Sequence, residues 1–173
     1  DILTILFSNL PLEMNEEVLK GIHRYLFKDI FYFAGEYRHS IIYAANRGNA
    51  VGFMQTFNAP ETILNEVKGT LRAMNNRIKN GQFSSMLEYA KWLANYFYQF
   101  NIIHPFREGN GRTITVFFST FVEYANQYLN LPSVEIDWSK FDTNVLKNFI
   151  WEYNNDENLI NQEFLKALVK KEE

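Results

Sequence analysis

The sequence predicts one all-α domain that carries a single small β-hairpin. Its 173 residues are enough for one sizeable core and too few for two. Apolar residues recur at helical spacing along most segments, and aromatic residues make up 17% of the chain, which indicates a core packed with rings. The helical spacing fails between Glu36 and Phe57, where strand-forming residues flank a turn. We therefore treat residues 1–173 as a single domain.

A first helix is predicted to begin after Asn15, whose side chain can cap it, and to stop near Ala34-Gly35, since glycine accepts the left-handed conformation beyond a helix end. Its apolar face consists of Val18, Ile22, Leu26 and Ile30. The β-hairpin follows, and Arg47-Gly48-Asn49 is predicted to form its turn. The residues that favour strands here are Tyr37, Ile41, Ile42, Tyr43 and Val51.

Two long helices are predicted in the middle of the chain. Asn58 and Glu61 can form a capping box before the first, which ends at Gly81. Its apolar stripe consists of Ile63, Val67, Leu71, Met74 and Ile78. Ser85 and Glu88 can form a second capping box, and the helix after it is apolar almost all round, so it should lie centrally. The residues that give it this character are Leu87, Tyr89, Trp92, Leu93, Tyr96, Phe97 and Phe100.

Pro105 must end this central helix, because it lacks an N–H group and its ring clashes with the preceding turn. A second buried helix is predicted to start near Gly111 and to contain Val116, Phe117, Phe121, Val122 and Tyr124. C-terminal helices within residues 137–170 should complete the bundle. One starts at Asp137 or Ser139 and contains Val145, Leu146, Phe149 and Ile150; the other contains Leu159, Ile160, Phe164, Leu165 and Leu168. Residues 170–173 are expected to form a frayed, solvated tail.

Composition excludes several classes of function. The net charge of −3 and the lack of a long basic run argue against direct nucleic-acid binding. The chain has no cysteine, so disulfides and thiolate metal sites are excluded. We find no signal peptide and no apolar run of membrane-spanning length, and we expect no membrane association. We expect a cytoplasmic protein, with a secreted effector as the alternative.

The loop between the two central helices carries the parts of a phosphate-binding site. Gly109 and Gly111 permit unusual backbone angles and let a ligand approach the main chain closely. The loop opens a helix, where free N–H groups and the dipole favour an anion. Arg112 offers a planar fork suited to phosphate oxygens, and Asn110 can donate through its amide. Loops held on a rigid scaffold are frequent places for function.

Three more residues complete this candidate site. Glu108 would repel phosphate unless a cation lies between them, and Mg²⁺ commonly binds one carboxylate together with phosphate oxygens. His104 can take a proton from an attacking hydroxyl. Phe106 is expected to be the apolar anchor of the loop. Taken singly, each residue has an ordinary interpretation: a structural histidine, a solvated carboxylate and a glycine turn. A zinc site and a Walker A loop are both disfavoured, the first by Pro105 and the second by Phe106 and Arg112.

The segment His104-Pro105-Phe106-Arg107-Glu108-Gly109-Asn110-Gly111-Arg112 resembles the signature of the Fic family. Two earlier segments resemble the part of Fic domains that precedes their flap: Ile22-His23-Arg24-Tyr25-Leu26-Phe27 and Ile30-Phe31-Tyr32-Phe33-Ala34-Gly35-Glu36-Tyr37-Arg38. The resemblance covers roughly residues 15–130. It implies a Fic-type helical bundle in which the hairpin is the flap.

The resemblance also implies a reaction, the transfer of AMP from ATP to a Ser, Thr or Tyr hydroxyl of a target protein. His104 would be the general base, and Glu108 would hold Mg²⁺ or Mn²⁺ on the phosphates. The phosphates would bind to Gly109, Asn110, Gly111 and Arg112. The flap would position the target protein by strand addition, through Arg47, Val51, Gly52, Phe53 and Met54. For Arg47, a solvated turn residue is the default interpretation.

One position departs from the family pattern. The full Fic motif has a second Arg three residues after the first, and Thr115 occupies that position here. Thr115 belongs to the expected phosphate-binding set but cannot act as a charge, which leaves the transferred group open. The alternatives are a Fic-fold transferase that moves another phosphate-containing group, as a kinase does, or a non-catalytic nucleotide- or protein-binding module. The inhibitory glutamate motif of Fic proteins has no match in this chain, so we expect no autoinhibition by the usual glutamate switch, and an antitoxin-like protein could supply an inhibitory helix.

The remaining chemically interesting residues are expected to be structural. His23 and His39 should lie at the surface or make structural hydrogen bonds. Arg38 should pair with an acidic group of the scaffold. The three tryptophans should pack in or beside the core; they are Trp92, Trp138 and Trp151.

Overall fold

The computed structural model describes residues 11–45, 54–145 and 157–171. Five α-helices are named in this part of the chain: α1 Glu16–Phe27, α2 Ile63–Asn80, α3 Met86–Ile103, α4 Asn110–Ala125 and α5 Glu157–Ala167. Four short strands accompany them: β1 Tyr43–Ala45, β2 Met54–Thr56, β3 Val134–Ile136 and β4 Leu168–Lys170. The predicted all-α architecture, with a small hairpin between its first two helices, is confirmed. No helix of the described part has both the length and the apolar character needed to cross a bilayer.

Helix α1 begins as predicted but ends earlier. The Asn15 side chain accepts hydrogen bonds from the backbone N–H groups of Glu17 and Val18, at 3.0 and 3.2 Å. The helix stops at Phe27, and Ile30 lies outside it with 67% of its surface exposed. The predicted end near Gly35 is therefore wrong. The chain turns after Phe27 and brings the Phe31 ring back onto the Phe27 ring, with centroids 5.2 Å apart.

The hairpin consists of β1 and β2, which pair antiparallel with Ala45 opposite Met54 and Tyr43 opposite Thr56. This confirms the predicted hairpin, while its turn at Arg47-Gly48-Asn49 and the strand residue Val51 lie outside the described residues. Ile41 and Ile42 precede the first strand. Tyr37 is not part of the hairpin; it forms an isolated β-bridge with Phe106 of the loop before α4.

Helices α2 and α3 follow the predicted apolar pattern closely. The whole predicted stripe of α2 is buried, from Ile63 to Ile78. The predicted capping box of Asn58 and Glu61 does not form, because a 3₁₀ turn, Pro60–Thr62, leads into α2, and the Asn58 amide donates to Glu66 instead.

The box at the start of α3 forms in part. Ser85 Oγ accepts from the N–H of Glu88 at 3.1 Å, while the Glu88 carboxylate accepts from Ser84.

Helices α3 and α4 form the centre of the domain, as predicted. Their buried rings meet directly: Phe97 contacts Phe118 edge-on at 5.1 Å, and Phe100 lies 5.5 Å from Phe117. Helix α5 packs against the same cluster through Phe164, which is 5.2 Å from Phe97. The expected packing role of the tryptophans is confirmed for Trp92 and Trp138, which are partly buried against the core, whereas Trp151 lies outside the described residues. Leu87, one of the residues that make α3 apolar, is 42% exposed.

The C-terminal region differs from the prediction. Asp137 caps only a 3₁₀ turn, Trp138–Lys140, and helix resumes at residues 143–145, just before the chain leaves the described part. Leu146, Phe149 and Ile150 therefore cannot be compared. The last helix ends at Ala167, and β4 pairs antiparallel with β3.

The expected solvated tail is wrong for its first two residues. Lys170 pairs with Val134, and Lys171 bonds Glu123 at 2.7 Å. Strands of three residues are too short to show the alternating pattern from which strands are predicted.

Candidate active site

A cleft of about 380 Å³ opens where the end of α3 meets the start of α4. Ile42 and Phe57 line it from the two sides of the hairpin base. The rest of its lining is the predicted loop: His104, Arg107, Glu108, Gly109, Asn110, Gly111 and Arg112. The residues that the sequence groups by chemistry are thus brought together at one opening, beside the hairpin.

His104 has a strained backbone. It caps the C-terminus of α3 with φ 48° and ψ 60°, and it is the one non-glycine residue with positive φ in the described part of the chain. Left-handed conformations of non-glycine residues cost about 1–3 kcal/mol and cluster at functional sites. The bend turns the chain away from the axis of α3 immediately before Pro105, and the loop then leads into α4.

The His104 ring is held in one orientation and one tautomer. Its Nδ1 lies 3.2 Å from the carbonyl oxygen of Asn101. Since a carbonyl can only accept, Nδ1 carries the proton and Nε2 keeps a free lone pair. The ring also stacks on Phe57, with centroids 3.7 Å apart and planes 9° apart. The imidazole is therefore arranged as a proton acceptor.

The surroundings also keep His104 neutral. Burial is the main effect, and together with the nearby positive charge of Arg38 it lowers the pKa of His104 to about 4, against the opposing Asn101 carbonyl and Glu108 carboxylate. At neutral pH the imidazole is therefore unprotonated, which is the state that a general base requires.

The Asn110 amide closes the loop on itself. Its Oδ1 accepts from the N–H of Phe106 at 2.8 Å, and its Nδ2 donates to the carbonyl of Phe106 at 2.7 Å. The side chain is buried, and its oxygen and one of its two N–H groups are engaged within the loop. The main chain of Asn110 lies in the first turn of α4, where N–H groups lack helical partners.

Phe106 is placed as the predicted anchor of the loop. It is completely buried, and its ring stacks on His23 with centroids 3.9 Å apart. His23 is buried as well; it accepts from the N–H of Gly35 at 2.8 Å and donates to the carbonyl of Glu108 at 3.0 Å. The prediction of a hydrogen-bonded structural histidine is confirmed for His23, while His39 is exposed. The sequence did not indicate that His23 would hold the Glu108 backbone.

The two glycines of the loop differ in what requires them. Gly109 has φ +80°, and a Cβ there would lie 2.5 Å from the Phe27 ring, so both conformation and space demand glycine. A Cβ on Gly111 would meet nothing within 4 Å. The fold thus has no steric need for glycine at position 111, although the residue lines the cleft.

Glu108 is the candidate metal ligand. Its side chain is exposed at the cleft, and Oε1 accepts from the N–H of Gly109 at 3.1 Å. A carboxylate with remaining lone pairs, beside a helix N-terminus that attracts phosphate, matches the donor set that Mg²⁺ usually takes: one carboxylate together with phosphate oxygens. The residues present therefore fit the ion. No group of three or more His, Asp or Glu that could hold a metal occurs in the described part of the chain.

Two cationic side chains, Arg107 and Arg112, belong to the cleft lining. The Arg112 guanidinium stands over the Phe27 ring at 4.6 Å. Arg107, which the sequence analysis gave no role, lies 5.3 Å over the Phe33 ring and donates to the Tyr32 hydroxyl. Thr115 is not brought to the cleft lining; its hydroxyl donates to the carbonyl of Gly111 at 2.8 Å.

The predicted flap residues fall largely outside the described part. Four of them lie outside the described residues: Arg47, Val51, Gly52 and Phe53. The backbone of the fifth, Met54, pairs with Ala45 in the hairpin.

Comparison with known proteins agrees with this arrangement. The model of the Fic/DOC family matches residues 13–122. A probable protein adenylyltransferase of Sinorhizobium fredii is 31% identical over 116 residues, which are 67% of this chain and 56% of that protein, so the chain spans little more than half of this relative.

Two solved structures share the fold. One is the N-terminal Fic domain of a VirB-translocated Bep effector protein from Bartonella quintana with bound ADP, with a TM-score of 0.77, 21% identity, and coverage of 98% of this chain and 80% of that one. The other is BepC from Bartonella tribocorum with bound AMPPNP, with a TM-score of 0.74, 20% identity, and coverage of 98% and 82%. With the family model matching well over half of its length, and with the loop geometry described above, the chain belongs to the Fic/DOC family.

Proposed function

We propose that this chain transfers the AMP group of ATP to a Ser, Thr or Tyr hydroxyl of a target protein. The observation that carries the proposal is His104: a neutral imidazole with a free Nε2, at a cleft that ends on the N-terminus of α4. The name of the Sinorhizobium relative and the AMPPNP in the Bartonella tribocorum structure support nucleotide transfer. The cleft volume of about 380 Å³ is within the range of small-molecule sites.

The first turn of α4 would bind the phosphates. Its free N–H groups and the helix dipole favour an anion, Gly111 leaves the approach to the main chain open, and Arg112 adds a positive fork. Glu108 would hold Mg²⁺ or Mn²⁺, which would neutralise phosphate charge when bound.

His104 would act on the target hydroxyl. Its Nε2 would accept the hydroxyl proton while the hydroxyl oxygen forms a bond to the α-phosphorus of ATP. The bond from that phosphorus to the bridging oxygen would break, and pyrophosphate would leave. General-base assistance of this kind is worth about 10²–10⁴-fold in rate.

The partner would be a target protein that docks on the hairpin. Ile42 and Phe57 connect the hairpin base to the cleft, so a strand added to the hairpin would pass close to His104. The flap residues proposed for this contact are Arg47, Val51, Gly52, Phe53 and Met54. An antitoxin-like protein that inserts an inhibitory helix remains a proposed regulator.

Thr115 favours a second candidate, the transfer of another phosphate-containing group. Its hydroxyl donates to the Gly111 carbonyl within α4 and carries no charge, so Thr115 itself does not replace the guanidinium that other family motifs carry at this position. Weaker hold on the outer phosphates would permit a different orientation of the nucleotide, and with it transfer of a different group.

Labelled ATP separates the two candidates. Label from the α-phosphate alone on a protein acceptor supports AMP transfer, and label from the γ-phosphate supports phosphorylation. No label contradicts both of these reactions and leaves, within the second candidate, only a donor other than ATP. His104→Ala and Glu108→Ala should remove transfer, whereas His39→Ala, at an exposed histidine, is the matched control. Full activity in excess chelator would disprove the metal assignment.

Thr115→Arg tests the grip on the phosphates. If the new fork reaches them, AMPPNP affinity should increase by about 1.5–3 kcal/mol. Unchanged or weaker AMPPNP binding in a folded variant would show that Thr115 does not limit the affinity for the phosphates.

A further inference from the structure

Arg38 is a buried cation whose hydrogen bonds within the described residues all go to main-chain carbonyls. It is 3% exposed. Its Nε donates to the carbonyl of His104 at 2.7 Å, and one terminal nitrogen donates to Ser40 at 2.9 Å. The other terminal nitrogen donates to Asn58 and to Ile103. Among the described residues Arg38 does not form the expected ion pair with an acidic group; Glu66 acts on it through its charge.

These carbonyls belong to segments that are distant in the sequence. Ser40 precedes β1 and Asn58 follows β2, so the guanidinium joins the two ends of the hairpin. Ile103 and His104 form the C-terminus of α3, where carbonyls lack helical partners. Two main-chain bonds reinforce the junction, from Arg38 N to the Pro105 carbonyl at 2.9 Å and from Asn58 N to the Ile102 carbonyl at 3.3 Å.

The junction includes the strained point of the cleft. His104 is left-handed at φ 48°, and this conformation persists only where the surroundings hold it. The bond from Arg38 Nε fixes the His104 carbonyl, and the bond from Nδ1 to Asn101 fixes the ring. If the carbonyl were released, the backbone could relax and the ring would leave both Asn101 and Phe57.

We propose that Arg38 is a positioning residue that holds the left-handed backbone of His104, and through it the Nδ1–H tautomer, in one rigid unit with the hairpin base. The role in catalysis rests on the proposed function; the effect on the tautomer does not. A planar fork is required, because a Lys ammonium is a point donor that cannot span four carbonyls in three directions.

The experiment compares Arg38→Lys and Arg38→Gln with the parent, and uses Arg77→Lys as the matched control. Arg77 belongs to α2 and is not part of the cleft lining. Its guanidinium pairs with Glu88 and lies over the Phe83 ring. Nitrogen-15 spectra of the three histidines at neutral pH, without nucleotide, report the tautomer, and His104→Ala assigns the signal. AMPPNP affinity, thermal unfolding, kcat and KM for ATP are measured on the same proteins.

We expect the parent to hold His104 as the Nδ1–H tautomer, and Arg38→Lys to give a mixture with the Nε2–H form. We expect kcat to fall about 100-fold in Arg38→Lys, with KM for ATP and AMPPNP affinity unchanged, since misplacement by about 1 Å is enough for such a loss. Arg77→Lys should match the parent in every measurement except thermal unfolding.

Several outcomes would overturn the proposal. A parent-like tautomer in a folded Arg38→Lys protein would do so, as would equal losses of kcat and nucleotide affinity. If neither Arg38 variant folds, Arg38 serves stability and the positioning role is wrong. If the parent lacks transfer activity, the proposed function fails, but the tautomer comparison still decides whether Arg38 orients His104.

Discussion

His104 combines a left-handed backbone, a fixed tautomer and a lowered pKa at one residue. Each has a separate structural cause: the end of α3, the Asn101 carbonyl and burial beside Phe57. Desolvation and the Arg38 charge both disfavour the imidazolium, so the proton affinity of the ring is lowered and the base stays unprotonated at neutral pH. The pKa of His104 can be measured without any knowledge of the target protein.

A proton NMR titration of the nucleotide-free protein should show His104 changing charge near pH 4 rather than near 6.5. Because the folded pKa lies below the unfolded one, the unfolded chain binds more protons as pH falls. The stability that the neutral ring contributes is full above about pH 6.5 and is lost progressively down to about pH 4. A midpoint near 6.5 in the folded protein would contradict the burial of this ring.

The two glycines of the loop should separate stability from ligand binding. Gly109→Ala should lower the free energy of unfolding by about 2–5 kcal/mol, from the left-handed φ and the contact with Phe27. Gly111→Ala should change it by less than about 0.5 kcal/mol but weaken AMPPNP binding about tenfold, since its Cβ would enter open space at the cleft. Urea unfolding and calorimetry measure the two effects, and intact binding by Gly111→Ala would contradict a main-chain phosphate site.

At the scale of elements, the helices depend on packing more than on intrinsic propensity. Helices α1 and α2 both carry a glycine on an exposed side, Gly21 and Gly69, where a Cβ would meet nothing within 4 Å. Glycine in a helix interior loses more backbone entropy on folding than alanine does. Each helix is therefore less stable than the same helix would be with alanine at its exposed glycine.

Gly21→Ala and Gly69→Ala should each raise the free energy of unfolding by about 0.5–1 kcal/mol. Gly35→Ala is the contrasting control, because φ is +86° there and a Cβ would lie 2.9 Å from the Arg24 side chain, so it should destabilise. Thermal unfolding of the three variants measures the effect. A loss of stability in Gly21→Ala or Gly69→Ala would mean that an added Cβ meets other atoms at these positions.

At the scale of the whole molecule, one cluster of rings joins the central helices to the C-terminal region. Phe164 of α5 contacts Phe97 of α3 and Phe141, and it lies 6.5 Å from Phe118 of α4. The pairing of β3 with β4 then ties the end of α5 to the segment that follows α4. The cleft thus forms at one end of two helices whose sides are covered by a distant part of the chain.

Phe164→Ala should destabilise the protein by about 3–5 kcal/mol, as large-to-small changes of buried rings do. The neighbouring Leu165 is 36% exposed, so Leu165→Ala should cost no more than about 1 kcal/mol. Urea unfolding compares the two. Equal, small losses would show that α5 contributes little to the core.

The sequence predicted whatever depends on neighbours along the chain. The stripe of α2, the cap at Asn15 and the set of residues at the cleft all follow from local spacing. The four carbonyls around Arg38 come from segments up to 66 residues away. Every residue has a main-chain carbonyl, so the sequence does not indicate which of them will bind a side chain. The two bonds between the Asn110 amide and Phe106 span only four residues, yet the sequence did not predict them, because an amide beside a glycine can equally turn toward a ligand.

That closed amide pair also bears on the thermodynamics of nucleotide binding. Phe106 and Asn110 exchange two hydrogen bonds, so the phosphate loop already has its shape in the nucleotide-free protein. The ordering entropy of the loop is then lost during folding and not on association. Binding should be accompanied by little loss of loop entropy, and association should proceed at the speed of diffusive encounter, without waiting for a slow rearrangement of the loop.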